Sequence, residues 1–573
     1  MKFHKFQRVT TVLAPVAWTL FVVGCSSTPP VVIAPDYSLT VYPFSYPVPV
    51  TDNDDAPLVA LDPSSGKAIY RRYANQGQQG AVNIVPDFSY AGYRSGGVAL
   101  PSYDALPVIK QLSPSDNDAL QLQQAIDKVS QQMPDENGVR GVVLLKAGDY
   151  YIDRPIVVRA SGVILRGEGQ GVNGTTLHAT SEAHRDKFIR VQGKGKKNKF
   201  QPADAPRNER IQQDYVPVGS NSIAIANVAG YSVGDTIAVA RTPNQKWIDV
   251  LAMSDYGWTP KSYRIQYERT VIAIEDNRLI LDIPIVDAID ASLGGGEVYR
   301  TDLSGRLQQV GIENLRLTTR TDVMASNEDR AFYAIDFAEV ENSWIRDVTV
   351  EAFSHGFNFR DGSRFNTAQD VAYVEPDFAV VGGRHYSFNF DGGSLNLFQR
   401  CYGDEGRHTF VVGSRVTGPN VFLDCVAENT QNDSGPHHRW STGILYDNTY
   451  GGELRTQNRL DSGSGHGWAG AQQMYWHTEH ESYVLQAPPG AMNWAVANQG
   501  DWGRPQWSPN EPLGMIENHH EDNKPMTPIR SLYLQQLQDR LGIEAVEQVT
   551  RPEQRQGRIW QQLKQWKGDN QFR

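Results

Sequence analysis

The chain has 573 residues, 40% apolar and 21% charged, which is enough to bury full cores and far from a disordered or fibrous composition. Its 51 Gly and 32 Pro, with 12 Trp, 25 Tyr and 20 Phe, describe a turn-rich, aromatic-rich β architecture and exclude a collagen, a coiled coil and a multispan membrane protein. A formal charge of -11 excludes non-specific nucleic-acid binding.

Residues 1–24 combine a basic start (Lys2, Lys5, Arg8), an apolar run from Val12 to Val23, and Val22-Val23-Gly24-Cys25-Ser26. The run is shorter than the roughly 20 residues a spanning helix needs. The segment resembles the signals of bacterial lipoproteins, which implies cleavage before Cys25, lipidation of Cys25, and an exported protein anchored to a bacterial membrane on its periplasmic or cell-surface side. Without the three leader cations the net charge is -14. Residues 25–50 are Pro-rich and read as an extended tether. Cys401 and Cys425 remain, and the repeat described below puts them on adjacent coils as a column of two thiols rather than a disulfide.

Residues 51–115 lack periodicity and form an irregular lead-in. Asp116–Val129 predicts a helix with Leu120, Leu122, Ala125, Ile126 and Val129 on its stripe. Short strands follow at Gly141–Leu145, Tyr150–Ile152, Ile156–Val158 and Val163–Leu165, separated by tight polar corners. Ala119–Val129, Val142–Tyr150 and Ser161–Gly169 resemble the pectate-lyase-like right-handed parallel β-helix proteins. The resemblance implies an all-β solenoid behind an N-terminal capping helix, spanning 116–530, and leaves reaction and substrate open because that fold hosts lyases, hydrolases, isomerases and adhesins.

Residues 187–200 carry six cations and no acid, either a solvated loop or a polyanion contact. Strand-like runs at Ile223–Ile225, Thr236–Val239, Thr270–Ile274 and Leu279–Leu281 predict a small inserted β-domain at about 200–295. Beyond 310 a repeat can be counted: Ile312, Ile345, Ala368, Phe398 and Phe422 open similar segments at intervals of 33, 23, 30 and 24. Asn342, Asn396 and Asn420 stand near three of these starts, as corner residues, while Asn366 falls in the odd stretch.

A second column keeps the same rhythm. His355-Gly-Phe357, Tyr386-Ser-Phe388, His408-Thr-Phe410 and His438-Arg-Trp440 recur at steps of 31, 22 and 30, with Arg360, Arg384, His385, Arg407, His437 and Arg439 beside them. Stacked coils would align these groups into a basic stripe on an acidic protein. The competing reading is an internal aromatic stack with histidines at its corner, since His408 shares strand parity with Phe410 and Val412.

Such a stripe suits β-elimination of a uronate-containing polysaccharide, which needs a neutralised carboxylate, a base and a proton donor for the leaving oxygen. His408, His438, Arg439 and Tyr446 are the candidate catalytic residues, with Tyr386 a second candidate donor. Arg384, His385, Tyr386, Arg407, His437, His355 and Arg360 are the candidate substrate-binding residues. The resemblance implies the same reaction class, often with Ca²⁺ as the neutralising charge; Asp404, Glu405, Asp424 and Glu428 are the acids available for such a site.

A glycoside hydrolase or epimerase is the enzyme alternative, and a surface glycan-binding lipoprotein or adhesin the non-enzyme one. Gly465-His466-Gly467 resembles a motif of β-helix polygalacturonases, but the carboxylate elements expected with it are missing, so it reads as coincidence. The run from Arg407 to Asn448 and the Asn493-Trp494 region resemble ulvan-lyase-type enzymes. Trp468, Trp476, Trp494, Trp502 and Trp507 predict mainly a cover for the last coils, with one or two left as a sugar platform. Residues 531–573 predict helices, with Leu534, Leu537 and Leu541 on one stripe, capping the solenoid's open end. The expected partners are an acidic polysaccharide and a membrane, with the protein acting as a monomer.

Overall fold

The computed structural model describes residues 48–194, 208–301, 304–319, 324, 326–519 and 527–572. The expected lipidation site Cys25, most of the expected tether and part of the cationic 187–200 segment lie outside them.

The chain forms a right-handed parallel β-helix. Each coil contributes a strand to a first sheet, bends into a second, turns into a third and returns. Gly141–Leu145, Gly148–Ile152 and Ile156–Val158 make the first circuit. In later coils one long strand serves two sheets: Trp344–Glu351, Thr367–Val374 and Leu397–Asp404 pair in parallel from end to end. The third sheet contains Asp186–Gln192, Ala331–Ala338, His355–Arg360, Tyr386–Asp391, His408–Val412 and Gly435–Pro436.

The bend between the first two sheets is made by one left-handed residue per coil, at Asn314, Asp347, Asp370, Arg400, Asp424, Asn448 and His477, with φ of 51–60°. A second left-handed column, through Gln309, Asn342, Phe365 and Leu395, turns the chain out of the third sheet. Here Asn342 takes the left-handed corner itself, whereas the following asparagines form a ladder along the axis. Asn366 Oδ1 accepts from Ser343 N at 3.0 Å, Asn396 Oδ1 from Asn366 N at 3.1 Å, and Asn420 Oδ1 from Asn396 N at 2.9 Å. Asn366 thus belongs to the repeat and is not its exception.

Inside the coils, like residues stack. Phe357, Phe388 and Phe410 form one pile at 5.6 and 6.1 Å; Phe398, Phe422 and Tyr446 form another at 5.6 and 5.3 Å. Cys401 and Cys425 are free thiols buried in the same core. The N-terminal helix spans Asp118–Ser130 and buries Ala119, Leu122, Ala125, Ile126 and Val129; Leu120, one position off that stripe, is exposed.

The flanking segments cover two faces. Leu58, Tyr70, Tyr73 and Phe88 of the lead-in, together with Leu532, Tyr533 and Leu537 of a C-terminal helix, pack on Leu423, Leu445, Trp476 and Trp494 of the first sheet. Trp560, Leu563 and Trp566 pack on Ala372, Tyr402 and Val426 of the second. The C-terminal helices therefore lie along the flank, not across the open end, because their apolar stripes match the outer faces of the coils; Leu541, placed on that stripe by spacing, is exposed. Neither layer's apolar cluster includes a residue of the third sheet, whose central rungs are polar: Arg190, and the buried Asp336, Asn358 and Asn389.

Residues 208–301 form a six-stranded antiparallel sheet with a short helix, Gln245–Val250, whose N-cap Asn244 accepts from Trp247 N at 3.1 Å. Its core includes Trp247, Tyr267 and Leu281, and takes in Trp440 and Trp468 from the coils. Arg306 holds the unit to the solenoid through a two-pronged pair with Glu268 at 2.7 and 2.9 Å. Among the described residues no helix is long and apolar enough to cross a membrane.

The ladder makes a direct prediction. Asn396→Ala leaves the buried Asn366 N–H without a partner and removes one of the two donors on the Ser363 carbonyl, and is expected to cost about 1–3 kcal/mol. Denaturant unfolding should show a lower midpoint with an unchanged slope.

Candidate functional site

The third-sheet strands begin in register. Lys187 pairs with Tyr333, Tyr333 with His355, His355 with Tyr386, and Tyr386 with His408, so the step counted in the sequence is a true column. The rings touch along it: Tyr333 to His355 at 4.5 Å, His355 to Tyr386 at 4.8 Å and Tyr386 to His408 at 5.2 Å. His437 continues the line at 4.6 Å from His408 and 6.0 Å from Tyr386. His438 and His466 close it, each 5.4 Å from His437 and 4.9 Å from one another.

The turn that presents His437 and His438 is held under strain. Arg439 and Trp440 are consecutive left-handed residues, φ 58° and 56°, each costing about 1–2 kcal/mol without glycine. The Trp440 side chain offsets that cost. It is buried against Trp247 of the inserted unit, edge to face at 5.0 Å, and its Nε1–H donates to Asp287 at 3.1 Å. The neighbouring turn is supported from the same side: Trp258 Nε1–H donates to Gly465 O at 3.0 Å, and Gly467, φ 56°, sits where a Cβ would strike Met253 and Trp258. Glycine there lets the inserted unit press His466 into the cluster.

Hydrogen bonds define the ring nitrogens of His408 and His437. His408 is 2% exposed; its Nδ1–H donates to the Asp433 carbonyl at 2.5 Å, which leaves Nε2 to accept from Arg407 Nη1 at 2.7 Å. His437 Nδ1 accepts from Arg459 Nη1 at 2.9 Å, so Nε2 carries its proton. The Nδ1 atoms of His438 and His466 are buried with no hydrogen-bond partner. Burial pushes these groups down, and the arginines reinforce it: His408 to about 4 despite the opposing pull of Asp433, His438 to about 3, His466 to about 4, and His437 further still. At neutral pH the cluster is uncharged.

The arginines divide into two groups. Arg407, Arg439 and Arg459 make no ion pair with a carboxylate among the described residues; Arg439 donates to Ser464 Oγ at 2.7 Å, and Arg459 lies 4.7 Å over the half-buried Trp507 ring. The other candidates are neutralised. Arg384 is held by Glu328, with Nε at 2.5 Å, and Arg360 lies between Asp336 and Asp391 at 3.6 and 3.3 Å.

Several expectations are corrected. Tyr446 is fully buried in the internal stack between Phe422 and Tyr475 and cannot meet a substrate. His385 adopts φ 56°, which turns its ring inward to donate from Nε2 to Phe378 O at 2.9 Å; it is 1% exposed and outside the column. Arg384 and Arg360 carry no spare charge for a substrate carboxylate. His355 does lie on the column, buried like His408 and packed by Phe332, Tyr333 and Tyr386. The four acids considered for calcium do not converge: Asp424 pairs with Arg530, Glu428 accepts from Tyr402 Oη at 2.9 Å, Asp404 from Asn429 at 2.8 Å, and Glu405 lies at a left-handed corner. Among the described residues no group of three or more His, Cys, Asp or Glu is placed to hold a metal.

Three participants were missed. His466, between its two glycines, reads in the sequence as coincidence. Asp433 lies in Asn432-Asp433-Ser434-Gly435-Pro436, where an acid is expected for the turn itself. Arg459, a single cation in a loop, carries no signal in the sequence.

No family model matches the chain, and no curated protein matches it. Solved structures do. The Gp54 tailspike of Acinetobacter baumannii bacteriophage AP22, in complex with A. baumannii capsular saccharide, is 10% identical over 72% of this chain and 73% of its own, with a TM-score of 0.29. Geobacillus virus E2 ORF18 is 10% identical over 73% of this chain and 63% of its own, at 0.35. The polygalacturonase from Erwinia carotovora ssp. carotovora is 9% identical over 76% of this chain and 99% of its own, at 0.32. These likenesses concern general architecture and assign no activity to this chain.

The neutral cluster predicts a pH response. Unfolded histidine titrates near 6.5, so between about 6.5 and 4 the unfolded chain binds more protons than the folded one, and stability falls as pH is lowered through that window. Thermal midpoints should fall between pH 6.5 and 4, and His408→Gln should shallow that fall. An identical slope in the variant would show that His408 is not held neutral.

Proposed function

We propose that this protein is a polysaccharide lyase that cleaves a uronate-containing acidic glycan by β-elimination. The observation that carries the proposal is the pairing of a neutral, oriented imidazole with arginines that, among the described residues, make no ion pair with a carboxylate, at the start of the third-sheet strands.

In this reading Arg407 and Arg459, with Arg439 at the rim, receive the substrate carboxylate and make the adjacent carbon acid stronger. His408 Nε2, released from Arg407 as that guanidinium turns to the carboxylate, removes the proton beside it. The electron pair left behind forms the carbon–carbon double bond, the glycosidic carbon–oxygen bond breaks, and the departing oxygen takes a proton from Tyr386. Burial raises the Tyr386 hydroxyl above its ordinary value, which keeps it protonated and available as the donor. His437, His438 and His466 line the approach as uncharged hydrogen-bonding surfaces. Ulvan-type polymers are the first substrate class to try. The protein is proposed to act as a monomer at a bacterial membrane, held through a lipid on Cys25, where such polymers are met.

One observation favours a second reading, a glycoside hydrolase. Asp336 and Asp391 flank Arg360 on the same sheet, one coil to either side of it, and two carboxylates across a bond are what hydrolysis requires. The products separate the two.

Incubation with ulvan, alginate, polygalacturonate and chondroitin sulfate should raise absorbance near ~235 nm, the mark of an unsaturated uronate. His408→Ala should lower that rate by at least about 10³-fold and Tyr386→Phe by about 10²-fold, with circular dichroism unchanged. New reducing ends without absorbance, abolished by Asp336→Asn and spared by His408→Ala, would establish the hydrolase instead.

A further inference from the structure

The third sheet carries a second feature, which the elimination chemistry does not use. A cavity of about 220 Å³ opens on its outer face, lined by Lys187, Arg190, Gln192, Asp336, Glu339 and Arg360. It lies on the strands Asp186–Gln192, Ala331–Ala338 and His355–Arg360. From the Ala331–Ala338 strand to that of His408 there are three parallel steps, about 14 Å, and from the strand of Arg190 four, about 19 Å, roughly the length of three to four extended sugar residues.

The chemistry of this cavity differs from that around His408. Asp336, 3% exposed, forms its floor, and both its carboxylate oxygens are buried without a well-formed hydrogen bond, although Lys187 and Arg360 balance their charge. Arg190 makes no ion pair among the described residues, its nearest partner being Gln192 Oε1 at 3.4 Å. A buried acceptor flanked by Lys187 and Arg360, with the carboxylates of Glu339 and Asp361 on the wall and the Arg190 guanidinium at the edge, matches a sugar ring whose hydroxyls meet the carboxylates and whose acidic substituent meets Arg190.

We infer that this cavity is a remote anchoring subsite for the same acidic glycan, three coils from His408, which makes the enzyme act on chains of at least four sugars and cut within them. The inference rests on the reading of the His408 cluster as the cleavage site, because it is the distance between the two that sets the chain length. It assigns to Arg190 a part in binding and none in the chemical step.

The test uses size-fractionated oligosaccharides of ulvan, polygalacturonate and alginate, from two to eight sugars. Affinities are measured by calorimetry on His408→Ala with and without Arg190→Ala, and cleavage is followed in the chain with native His408. The expected result is a Kd about tenfold weaker for six to eight sugars in the Arg190→Ala background, with disaccharide binding unchanged, and with kcat on the octasaccharide within twofold of the parent. Arg190→Lys should recover part of the loss. Equal affinity for the octasaccharide in both backgrounds, or an equal loss on the disaccharide, would overturn the subsite while leaving the lyase reading intact. Undiminished cleavage by His408→Ala, with the length-dependent loss still present, would remove His408 as the base and keep the subsite. No binding of any oligosaccharide would remove both.

Discussion

The structure depends on one constraint, that successive coils stack in register at the spacing of parallel strands. That register is enforced where the chain turns. From Asn314 to His477 the coils pass from the first sheet to the second through a left-handed residue, and from Gln309 to Leu395 they pass between the third and the first through another, while the Asn366, Asn396 and Asn420 amides tie neighbouring corners together. Once the corners are fixed, residues at equivalent positions must lie above one another. The phenylalanines become internal piles, and Tyr333, His355, Tyr386 and His408 become a single column although 75 residues separate the first from the last.

The electrostatics of the site follow from what surrounds that column. Imidazoles removed from water beside arginines cannot hold a proton, so His408, His437, His438 and His466 are neutral while the guanidiniums keep their charge. The result is a surface that attracts an anion without spending its bases on protonation. The inserted β unit contributes at a distance: Trp440, rooted between Trp247 and Asp287, holds two adjacent left-handed residues in place, and Trp258 supports the glycine turn that delivers His466. Its contacts with the coils at these points are positional.

Most of the architecture was legible because a solenoid writes its period into the sequence. The 23- to 33-residue spacing of the segment starts and the His or Tyr two residues before Phe both reflect coil stacking, and each can be counted. Side-chain direction at a corner cannot. His385 and Tyr386 are adjacent, yet the left-handed φ of His385 sends its ring to the Phe378 carbonyl and leaves Tyr386 on the column. Tyr446 follows first-sheet alternation, which places it inside with Phe422. Arg384 and Arg360 looked equivalent to Arg407 in sequence; their carboxylate partners, Glu328, Asp336 and Asp391, come from other coils or from the strand end next to them, and only the fold brings these together. The helices of residues 532–566 were legible as helices, but their place on the flank depends on apolar faces of coils that lie far away in sequence.

The most direct test of the account is a crystal structure of His408→Ala with an acidic octasaccharide bound. The account predicts a chain running along the third sheet parallel to the coil axis, with a uronate carboxylate on Arg407 and Arg459 and its neighbouring carbon facing the vacated His408 position. A chain bound on another face, or one that lies on this sheet with its carboxylates away from these arginines, would contradict it.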